Sequence, residues 1–95
     1  MEIKDNQFSR QFETTLEDGK KLTLEYSIQE RKLFLTKVFT PEGFTNEEKV
    51  SEFIKSILEI AEEKRLRVVP IHPKVAAFFR KNPQYKDMLP PGIRL

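Results

Sequence analysis

The sequence has no cysteine in its 95 residues. Disulfides, thiolate metal sites and thiol nucleophiles are therefore excluded. Its one histidine, His72, rules out a multi-histidine metal centre and weakens a Ser/His/Asp reading. No metal site is expected. Neither sign of charge is in large surplus, because Lys+Arg 17 against Asp+Glu 15 leaves +2. That balance speaks against a nucleic-acid partner. No apolar run approaches the ~20 residues of a membrane span, and Met1-Glu2-Ile3-Lys4-Asp5 lacks a signal-peptide apolar core. The expectation is one soluble, cytoplasmic domain over residues 1–95, a monomer or weak homodimer with no membrane partner. Apolar residues are only 38% of the chain, but eight phenylalanines supply bulky core material.

The first half reads as strands. Phe8, Arg10 and Phe12 alternate with polar residues, which predicts a strand from Gln7 to Thr14. Asp18-Gly19 is a hairpin-turn signal, since glycine accepts positive φ without strain. Leu22, Leu24, Tyr26 and Ile28 keep a period of two, as a half-buried antiparallel strand does. Leu33 to Phe39 is a third strand, more continuously apolar and so expected to be central.

The Pro41–Gly43 break ends the strand pattern. A helix is predicted from Asn46 to about Arg65, with Asn46 or Thr45 as N-cap and Glu47 and Glu48 in the first turn. Val50, Phe53, Ile54, Ile57, Leu58 and Ala61 form its core-facing stripe. Leu66 to Ile71 is a short strand stopped by proline, expected parallel to the third because it follows a crossover helix. Pro73 opens a second helix that ends near Asn82-Pro83. The order β-β-β-α-β-α makes an α+β fold, a twisted, mostly antiparallel sheet with helices packed on it. Besides the stripe, Leu22, Leu24, Tyr26, Ile28, Phe34, Val38, Val68 and Ile71 are expected to be buried.

The stretch Ile57 to Ile71, with Val68-Val69-Pro70 at the strand end, resembles the core of the minimal single-domain GNAT-type N-acetyltransferases. So do Pro73 to Tyr85, with Asn82-Pro83-Gln84-Tyr85, and the hairpin around Asp18-Gly19. The resemblance spans roughly Phe8 to Leu89. It implies acetyl-coenzyme A as donor, an amine or other small-molecule acceptor, and a glycine-rich phosphate turn at the long helix start. That turn would place cofactor contacts at Val38, Phe39, Thr45, Asn46, Glu48 and Lys49. Asn46 and Glu48 stand where the glycines fall. Leu35-Thr36-Lys37-Val38 stands where the family has a His-Thr-Glu-Val segment, and His72 where it commonly has cysteine.

Each candidate carries two readings. His72 is a general base with an ordinary pKa near 6.5, or a surface or helix-capping residue. Tyr85 is a general acid for a departing thiolate, a role the resemblance implies, or a core-edge tyrosine. Glu47 and Glu48 are an altered ligand site, or first-turn carboxylates offsetting the helix dipole. Lys74, Arg80, Lys81 and Lys86 meet a coenzyme phosphate, or form a solvated basic face. Phe78 and Phe79 are adjacent, so one lines a cleft or packs against the C-terminal tail. The resemblance implies acetyl transfer to an amine. The alternative is a non-catalytic interaction or small-ligand module on the same fold.

Overall fold

The computed structural model describes residues 1–95. The chain runs β1 (Lys4–Asn6), β2 (Gln11–Thr15), β3 (Lys21–Gln29), β4 (Lys32–Phe39), α1 (Glu47–Glu63), β5 (Arg67–Pro70) and α2 (Pro73–Lys81), then a 3₁₀ turn at Pro83–Met88. Strand order in the sheet equals chain order. The first four strands pair antiparallel, and β5 pairs parallel to β4 across the α1 crossover, as expected from the element order.

The predicted first strand is corrected. Residues 7–10 are a turn that divides it into β1 and β2, so the sheet has five strands. Asn6 Oδ1 accepts the Ser9 backbone N–H at 3.1 Å, and Arg10 takes φ +54°. These local bonds reverse the chain, and Phe8 ends 99% exposed at the hairpin tip. The Asp18-Gly19 turn forms as read, with Gly19 at φ +87°.

A second correction concerns β4. Its register with β3 pairs Glu25 with Lys37 but Tyr26 with Leu35, so Thr36 is an extra residue, a bulge. Thr36 Oγ1 donates to the Glu25 carbonyl at 3.1 Å. The bulge switches the parity of the strand. Leu33 and Leu35 point into the core before it, and Val38 points the same way after it. Phe34 is therefore on the opposite face and only half-buried.

α1 forms where the apolar stripe predicts, and all six stripe residues are buried. They pack with Phe12, Leu22, Leu24, Leu33, Leu35 and Val68 from the sheet and Val75, Phe78 and Phe79 from α2 in one cluster. Both adjacent phenylalanines belong to it, because the end of α2 is covered also by Tyr85, Met88 and Leu89. Ile28, at the end of β3, and Ile71, just past β5, are exposed, contrary to expectation. Both helices contribute to this one core. On the far face, Phe34 and Val69 pair with each other outside the cluster.

α1 ends in a Schellman arrangement. Leu66 N–H donates to Ala61 O at 2.9 Å and Arg65 N–H to Glu62 O at 3.0 Å. Arg65 holds the left-handed position at φ +57°, where glycine is the usual residue.

Candidate active site

β4 and β5 separate where β5 ends. Their last ladder pair is Leu35 with Pro70. The backbone N–H groups of Ile71 and His72 both donate to Leu35 O, each at 3.1 Å, and close the fork at its base. β4 runs on from Thr36 to Phe39 with no ladder partner on that side. An unpaired strand edge, with its own N–H and C=O groups, thus faces the opening.

Two helix starts flank this fork, and each is capped by its own chain. At α1, Asn46 Oδ1 accepts the Lys49 N–H at 3.1 Å. At α2, His72 Nδ1 accepts the Lys74 N–H at 3.1 Å, while Pro73 has no N–H to offer. The Val75 and Ala76 amides both bond to His72 O at 3.0 Å. Burial, and then the charge of Lys74, hold the His72 pKa below its ordinary 6.5. The neutral ring carries its proton on Nε2, since Nδ1 accepts. Lys74 Nζ lies 3.9 Å from Glu47 Oε1, joining the two helix starts.

The candidates from the sequence divide between this fork and other regions. Val38 faces the core and is half-buried, and Phe39 faces outward, 47% exposed. Thr45, Asn46 and Glu48 are exposed at the α1 start. Lys49 is half-buried and lies 3.9 Å from Glu52, beside a cleft of about 660 Å³ that Glu13 and Lys21 also line. Tyr85 sits on the 3₁₀ turn, its ring 5.4 Å from that of Phe78. The clefts beside Lys49 and Glu13, beside Arg67 and Met88, and beside Asp5 and Tyr26 are lined by neither His72 nor Tyr85. Lys74, Arg80, Lys81 and Lys86 are all exposed.

One ordered polar group escaped the sequence reading. Glu13 is buried and accepts Gln11 Nε2 at 2.6 Å and Asn6 Nδ2 at 3.0 Å, with Lys21 Nζ 3.5 Å away. The Gln11 amide first, and then Asn6, hold its carboxyl below the usual carboxylate range. The signal was local: two amide side chains lie within seven residues of one carboxylate.

A family model for GCN5-related N-acetyl-transferase matches residues 11–88, from β2 through the 3₁₀ turn. The chain belongs to that family. The five-stranded mixed sheet with helices packed on it agrees with that membership. No individual curated protein matches the sequence. Within this member of the family, the matched span contains the Thr36 bulge, the fork and both helix starts.

Proposed function

We propose that the fork between β4 and β5 takes the acetyl-pantetheine arm of acetyl-coenzyme A, and that the acetyl group passes from there to an amine. One observation carries this reading. The Thr36–Phe39 edge is left unpaired immediately beyond the last parallel pair, within a chain that belongs to an acetyltransferase family. A strand edge satisfies amide groups by strand-like addition, and the pantetheine arm carries two amides. The fit is good for that arm. The backbone N–H and C=O of Val38, which point away from β3, would hold it. Bound there, acetyl-coenzyme A would supply a thioester carbonyl open to attack by nitrogen.

The protein's own groups have limited roles in this reading. His72 Nδ1 is engaged by the Lys74 amide, so taking a proton there costs the α2 cap. Its assignment is to orientation, through Nε2–H. Tyr85 sits on the 3₁₀ turn against Phe78, outside the fork, and is assigned no step in this reading; the proton lost by the attacking amine reaches the departing thiolate through solvent. Thr45, Asn46, Glu48 and Lys49 follow the β4 edge in the chain, at the start of α1.

An amide NMR titration with acetyl-coenzyme A tests the binding. Shifts confined to residues 36–39 and 70–74 are expected. Shifts elsewhere, or none up to millimolar ligand, would remove the fork from consideration. Thiol release over a panel of primary amines then tests transfer.

A further inference from the structure

We infer that this fork recognises its donor by the pantetheine arm alone and draws nothing from the nucleotide end. The donor class is then any acyl-pantetheine thioester, whether coenzyme A or a shorter or carrier-bound form. The inference rests on the fork reading above and adds to it the charge and hydrogen bonding at the two helix starts.

A phosphate next to the fork needs free backbone N–H groups or an unpaired cation. At α2 none of the first-turn donors is open. Pro73 has none, Lys74 donates to His72 Nδ1, and Val75 and Ala76 donate to His72 O. At α1 the Lys49 and Val50 amides are used by Asn46, through its side-chain and main-chain oxygens. The two amides left there belong to Glu47 and Glu48, whose own carboxylates stand exposed at the same spot.

The nearby cations do not offset these carboxylates. Lys74 Nζ is 3.9 Å from Glu47, and Lys49 Nζ is 3.9 Å from Glu52. His72 is held neutral near pH 7 by burial and by Lys74. A diphosphate at the α1 start meets two carboxylates, one of them unpaired; Lys37, the unpaired cation on the open edge, stands on the face of the sheet opposite the helices. The pantetheine arm is uncharged and requires only the β4 edge, which is open. The two halves of the coenzyme thus meet opposite environments.

The test is an amide NMR titration of the whole chain with three probes: acetyl-coenzyme A, S-acetylpantetheine and ADP. The two thioesters are expected to shift residues 36–39 with dissociation constants within about threefold of each other, and ADP to shift nothing. A coenzyme thioester binding more than about thirtyfold tighter than S-acetylpantetheine overturns the inference while leaving the fork reading intact. Shifts at residues 45–49 with ADP alone do the same. Absence of binding by both thioesters overturns the fork reading, and this inference with it. The variant Glu47→Gln/Glu48→Gln gives an independent check. It is expected to tighten acetyl-coenzyme A by up to about threefold and leave S-acetylpantetheine unchanged. Equal effects on both probes overturn the charge argument.

Discussion

Tyr26 Oη donates a 2.6 Å hydrogen bond to Asp5 Oδ1, tying the third strand to the first across the second. Lys64 Nζ approaches the same carboxylate at 3.7 Å and brings in the end of the long helix. The Tyr26 ring also stacks on Phe12, with centroids 4.6 Å apart. Burial first, and then Asp5, push its phenol up from 10.0 to about 12. The raised value means that the folded chain keeps this proton while the unfolded chain loses it. Stability from this group is complete below pH 10 and is lost as pH rises toward 12. Tyr26→Phe is expected to cost about 1 kcal/mol at pH 7. It should also flatten the alkaline decline, read by urea denaturation from pH 9 upward. An alkaline limb identical to that of the natural chain would show that Tyr26 does not cause it.

His72 is expected to act on stability as a cap. His72→Ala should lose about 1 kcal/mol, whereas His72→Asn, which restores a capping oxygen, should lose much less. The folded-state pKa lies below 6.5, so the unfolded chain takes up a proton first as pH falls. Stability is therefore full above pH 6.5 and declines below it. The difference between the natural chain and His72→Asn isolates this term. Retained acetyl transfer in His72→Asn would reduce the residue to a cap, a modest loss is expected if Nε2–H orients, and a loss of ~100-fold or more would make the imidazole a general base.

Arg65→Gly is expected to stabilise the protein by about 1 kcal/mol, because it removes a side chain from a left-handed backbone position. The Arg31 Nη2 hydrogen bond survives the change, since it is accepted by the Arg65 carbonyl. A lower urea midpoint for Arg65→Gly would contradict this.

Phe53 is 1% exposed at the centre of the α1 stripe. Phe53→Ala is expected to cost about 3–5 kcal/mol through lost contacts and the cavity left behind. A change under about 1 kcal/mol in chemical denaturation would mean that the core collapses around the gap.

Some elements were legible because one physical constraint dominated them. The period of two from Leu22 to Tyr26 has a buried face against α1 and Phe12, so alternation and burial coincide. The α1 stripe read correctly for the same reason, and the parallel pairing of β5 followed from the crossover. The Gln7–Thr14 stretch misled because Phe8, Arg10 and Phe12 alternate by chance. Asn6 capping Ser9 decides the chain direction there, and no periodicity reports it. Phe34 was misplaced because alternation assumes an unbroken ladder, and Thr36 interrupts it. The cap at His72 was legible as one of two readings, from its place directly before Pro73. The open edge of β4 was not legible in detail. It depends on where the parallel pairing stops, at Leu35 and Pro70.

The inserted Thr36 has a consequence for how this strand can change. It makes the two halves of β4 obey different rules. Before the bulge, Leu33 and Leu35 are locked by interior packing. After it, Lys37 and Phe39 turn to solvent beside the fork, and Val38 alone anchors that half inward. Substitutions at 37 and 39 can therefore accumulate with little effect on folding, and the chemistry along the fork can drift independently of the stability of the domain.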